Sequence, residues 1–65
     1  MKLRITPHSA PPLWDIRQLG AGDVVVLVDG YEQRPDWVRY AHAMSIAIRR
    51  GVDIERVRGN SGESE

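Results

Sequence analysis

Apolar residues change their spacing repeatedly along this chain, and each spacing predicts an element. In "KLRIT", Leu3 and Ile5 alternate with Lys2, Arg4 and Thr6, the period of a strand with one solvated face. Pro7 stops it. "SAPPLWDIRQLGAG" then places Leu13, Ile16 and Leu19 at three-residue spacing behind two prolines that suit a helix start, with Gly20 where a C-terminal cap belongs. A short helix is predicted here, with a strand from Leu13 to Leu19 as the competing reading. Val24 to Val28 is continuously apolar and rich in β-branched residues, which predicts a central strand covered on both faces.

Asp29 and Gly30 end that strand, and Pro35 and Asp36 open a long helix. Proline gives up a donor that is unpaired at a helix start, and a carboxylate suits the positive end of the helix dipole. The helix should run to about Arg50, with Arg49 and Arg50 at its negative end and Gly51 as its cap. At about 100° per residue, Trp37, Tyr40, Ala41, Met44 and Ile48 share one side and face inward. Arg39, His42, Arg49 and Arg50 share the other, with Ile46 as a single exposed isoleucine among them. "VDIERV" supplies a last strand with Val52 and Ile54 on one face. The fold class that follows is α+β, a small three-stranded sheet flanked by one short and one long helix. It fills one domain over residues 1–59 and is followed by a flexible acidic tail, 60–65. The long helix can carry the chain back to start the third strand beside the second and parallel to it, although the pattern leaves mixed and antiparallel orders open.

Composition narrows the chemistry. Sixty-five residues leave little room for a walled cleft, and without cysteine there are no disulfides, thiolate metal sites or cysteine nucleophiles. No apolar run approaches the ~20 residues of a membrane span, which leads to the expectation of a cytoplasmic protein with no membrane partner. Nine basic residues balance nine acidic ones, but unevenly along the chain. Asp23, Asp29, Glu32 and Asp36 cluster before the long helix with Arg34 as the one base among them, and the long helix holds Arg39, Arg49 and Arg50 with no acid.

A strand ending in "VDG" next to a helix start is a common place to hold a nucleotide or metal. Neither "GAGD" nor "DGYEQRP" has the glycine spacing of a phosphate loop or its lysine and hydroxyl residue. Asp29, Glu32 and Asp36 read as solvated turn and cap residues before magnesium ligands. Ser9, Ser45, Ser61 and Ser64 have only His8 and His42 as bases, and none stands in a nucleophile turn. The expectation is a non-enzyme with no catalytic residues, no cofactor and no metal.

Two binding surfaces are then in contention. Asp29, Tyr31, Glu32 and Asp36 form a candidate partner-binding patch, whose carboxylates could occupy a basic surface built for DNA. Arg39, Arg49 and Arg50, with Lys2, Arg4, Arg56 and Arg58, form the alternative, a surface for nucleic-acid phosphates in a small accessory or regulatory protein.

The layout as a whole is about 65 residues without cysteine, with "PPLWDIRQLG", the acidic "DGYEQRPD" and "PDWVRYAHAMSIAIRR" in that order. It resembles the small phage-encoded anti-CRISPR proteins, most nearly an inhibitor of type I-C systems. The resemblance lies in size and order of elements. It implies a monomer in the host bacterial cytoplasm that binds the CRISPR effector complex (Cascade) at the basic large-subunit surface that recognises DNA. Target DNA would be blocked there, with no direct nucleic-acid contact by the inhibitor. The neutral charge balance departs from the strongly acidic DNA mimics and confines any mimicry to a patch.

Overall fold

The computed structural model describes residues 1–58. The tail expected over 60–65 lies outside them. Strand β1 (Lys2–Ile5) leads to helix α1 (Leu13–Arg17), and strand β2 (Val24–Val28) to a short 3-10 turn over Tyr31–Gln33. Helix α2 (Trp37–Arg49) and strand β3 (Asp53–Val57) complete the chain. The sheet is three-stranded in the order β1-β2-β3, and both pairs are parallel. This is the small α+β fold expected from the spacing, with the strand direction now settled.

Register aligns Lys2, Val24 and Asp53 in one row across the sheet, and Arg4, Val26 and Glu55 two residues on. Backbone bonds extend the pairing past the strand ends: the Val24 amide donates to the Met1 carbonyl, and the Asp29 amide to the Val57 carbonyl, both at 2.9 Å. Both crossovers step the same way across the sheet. Because such parallel connections are almost always right-handed, both helices belong on one face. The core agrees, since Ile5, Val25 and Leu27 of the sheet share a single buried cluster with Ile16 and Leu19 of the first helical segment and Tyr40, Ala43, Met44 and Ala47 of α2.

Strand β2 is central and its middle residues are buried on both faces, as expected, but the two faces are covered by different means. Val26, 4% exposed, stands outside the core cluster. It lines a shallow recess on the other face with Lys2, Arg4, Glu55 and Val57, so flanking side chains shield it and no helix does. Continuous apolarity reports burial but does not say what does the burying.

The inward face of α2 is also rotated from the expected one. Tyr40, Ala43, Met44 and Ala47 are buried, Trp37 and Ala41 are half-buried, and Ile48 is 54% exposed. The helix packs against α1 as well as the sheet, and Ala43 and Ala47 belong to the core cluster it shares with both. Two bonds tie the α1 segment to α2: the Tyr40 hydroxyl donates to the Pro11 carbonyl at 2.6 Å, and Arg50 Nη1 to the Arg17 carbonyl at 2.6 Å. Glycines carry the sharp turns. Gly51 follows α2 at φ 97°, and Gly30 leaves β2 at φ 93°, left-handed conformations that favour a residue without a Cβ.

Candidate functional site

The acidic turn sits at the C-terminal end of β2, where its residues have different fates. Asp29 and Glu32 are exposed. Tyr31 is not available as a contact residue: it is 7% exposed and meets Trp37 edge to face, with ring centroids 4.7 Å apart. Asp36 occupies the N-cap position of α2, but its carboxylate makes no cap bond to the helix. Instead Arg34 Nε donates to its Oδ1 at 3.0 Å and Arg34 Nη2 to its Oδ2 at 3.2 Å, a bidentate pair. That hydrogen-bonded guanidinium holds the Asp36 carboxyl below the usual carboxylate range.

Arg34 does more than neutralise Asp36. Its Nη1 donates to the Thr6 carbonyl at 3.1 Å, and its guanidinium carbon lies 5.6 Å from the centroid of the Tyr40 ring. The side chain, 15% exposed, thereby ties the loop after β1 to the start of α2. The acidic patch is reduced to Asp29 and Glu32. The backbone amide of Asp29 is held by the Val57 carbonyl at 2.9 Å, which fixes the start of the turn. Asp23, at the other end of β2, accepts from the Met1 ammonium at 2.7 Å and from the Gly20 amide at 2.9 Å, which lowers its pKa.

The helix layer presents a different surface. Arg39, Arg49 and Arg50 are all exposed, and Arg17 of α1 joins them. Arg17, Arg39 and His42 line a recess of about 550 Å³ between the helices, together with Leu13 and Val38. Trp14 is 67% and Val38 79% exposed. Among the residues of α1 and α2 there is one acid, Asp15. Arg17 was not among the arginines singled out from spacing; it lies one turn after Leu13 at the exposed edge of α1, and only the packing of α1 on α2 brings it beside Arg39. The remaining basic candidates are elsewhere. Lys2 and Arg4 lie on the open sheet face, and Arg56 lines an apolar groove of about 490 Å³ between α2 and β3 with Trp37, Met44, Ile48 and Ile54.

Among the described residues, no three His, Asp or Glu side chains converge as metal ligands, and neither histidine is hydrogen-bonded to a serine side chain. No helix among the described residues is long and apolar enough to cross a membrane. Comparison with protein-family models, curated proteins and solved structures finds no match.

Proposed function

We propose that this chain is a non-catalytic binding protein whose helix layer docks on a polyanion, nucleic acid being the partner its chemistry fits best. The observation that carries this reading is the surface of Arg17, Arg39, Arg49 and Arg50 across two packed helices, with a single acid among their residues. Guanidinium groups match phosphate oxygens bidentately, and the exposed Trp14 ring offers a flat apolar surface beside them. Such contacts position a protein on a backbone without reading bases, so binding should be indifferent to sequence and steep in salt.

The test is fluorescence anisotropy with labelled duplex and single-stranded oligonucleotides across a salt series. Arg39→Glu with Arg49→Glu should abolish binding, and Arg39→Ala with Arg49→Ala should lower the slope of log affinity against log salt by about 1.8 on duplex. Wild-type-like binding by the double glutamate variant would reject the arginine face.

The inhibitor reading is supported by a separate observation, the exposure of Asp29 and Glu32 at the end of β2. On that reading the chain captures a CRISPR effector complex through carboxylates that occupy its DNA-binding surface. Asp29→Lys with Glu32→Lys should then abolish capture from a lysate containing such complexes, and the arginine variants should leave it intact. Retention of capture by the lysine variant would exclude the acidic turn.

A further inference from the structure

Parallel sheets are found almost always with both faces covered, and among the described residues this one has a face without a helix. That face has an ordered charge pattern. Lys2 and Arg4 line its β1 side, Val24, Val26 and Val28 run down its centre, and Asp53 and Glu55 line its β3 side, followed by Val57. The four charged residues are exposed, Val24, Val28 and Val57 are half-buried, and Val26 is buried. The surface is therefore a basic column, an apolar column and an acidic column side by side.

We propose that this face is a self-association surface, and that its occupant is a second copy of the same chain stacked back to back. The registry determines which two-fold axis works. An axis along β2, lying between the two sheets, exchanges the β1 and β3 sides while keeping every row at its own level. Lys2 then faces Asp53 of the second copy, and Arg4 faces Glu55 of the second copy, and the reciprocal pairs form by symmetry. The half-buried Val24 and Val28 meet their own counterparts in the middle. A two-fold axis across the strands would instead lay the basic column on the basic column and the acidic on the acidic, which repel. Sheets stacked at ~10 Å and crossed by about 30° keep long lysine and arginine side chains within reach of the opposing carboxylates.

Within one copy the Lys2 ammonium approaches Glu55 at 3.9 Å, with both side chains more than half exposed. Such a surface pair is weak and leaves both groups free to find partners across the interface. The area sets the strength. Three strands ~4.8 Å apart and five residues at ~3.3 Å give a patch of about 240 Å², well below the ~800 Å² per partner of a standard stable interface. The dimer is consequently concentration-dependent, and it departs from the monomer expected from sequence. Back-to-back stacking turns both helix layers outward, so its formation does not rest on what the arginine face binds.

Sedimentation equilibrium from about 10 µM to 1 mM tests it, the upper end chosen for an interface of this small size. The weight-average mass should climb from 7.3 kDa toward twice that value. Lys2→Glu with Arg4→Glu makes both columns acidic, and Asp53→Lys with Glu55→Arg makes both basic. Each variant alone should lose at least about tenfold in dimer affinity, and an equimolar mixture of the two should recover association as a heterodimer. Dilution of the wild-type protein should shift amide resonances of β1, β2 and β3 and leave those of α2 unmoved, a readout that needs no variant. A wild-type chain that stays at 7.3 kDa up to 1 mM would overturn the proposal. So would a dimer indifferent to both reversals, or two variants that fail to associate when mixed.

Discussion

Two residues show how a single side chain, present or missing, shapes this protein. Gly30 turns the chain at φ 93°, and a Cβ built there would lie 2.7 Å from Pro7 Cγ. Gly30→Ala should therefore cost about 1–3 kcal/mol, read as a lower urea midpoint at unchanged slope. Arg34 takes both oxygens of Asp36 and so removes that carboxylate from the cap role its position suggests. Asp36 and Asp23 both have pKa values lowered by hydrogen-bonded cations, from Arg34 and the Met1 ammonium respectively. In the unfolded chain each would take up a proton first, near the ordinary value of about 3.9. Their contribution to stability is complete above that value and is lost as pH falls through the lowered folded values. Thermal melts should drop as pH falls below about 4, and Asp36→Asn should flatten that drop.

At the scale of elements, α2 separates periodicity from burial. Met44, 5% exposed, and Ile48, 54% exposed, lie on the same side by angular spacing, but only Met44 is in the core. Met44→Ala should cost about 2–5 kcal/mol, whereas Ile48→Ala should stay within about 1 kcal/mol, measured as paired denaturant titrations. The buried face of α2 includes Ala43 and Ala47, which share the core cluster with both the sheet and the α1 segment. Strand β2 is paired on both edges, so Val25, Val26 and Leu27 should show the slowest amide exchange in the sheet. Fast exchange across those three residues would contradict the central position of β2.

For the molecule as a whole, a net charge of zero conceals three surfaces of different character: a basic helix layer, a sheet face of alternating columns and a small acidic turn. The helix layer sets a quantitative expectation. If Arg17, Arg39, Arg49 and Arg50 each neutralise one phosphate, log affinity for duplex falls with log salt at a slope of about −3.6. A rise from 50 to 200 mM salt should then weaken binding about 150-fold, which anisotropy titrations at the two concentrations would measure. The sheet face acts at right angles to this. In the proposed stacking its basic and acidic columns face each other across two copies, so the attraction follows from the arrangement of the charges and not from their sum.

Much of this was legible in the residues themselves. Alternation in "KLRI", the valine run, the proline and aspartate before Trp37 and the glycines after each helix are local signals. They reflect side-chain geometry within a few residues, so they survive without knowledge of the fold. The element types, their order and the three arginines of the long helix follow from them. Tertiary structure decided what depends on neighbours distant in sequence. It placed both helices on one face, left Val26 sheltered only by flanking strands, and set α1 beside α2 so that Arg17 joined the arginine face. It also buried Tyr31 against Trp37 and fastened the loop after β1 to Arg34. A periodic pattern specifies which residues avoid water, but packing alone selects the partner that keeps the water out.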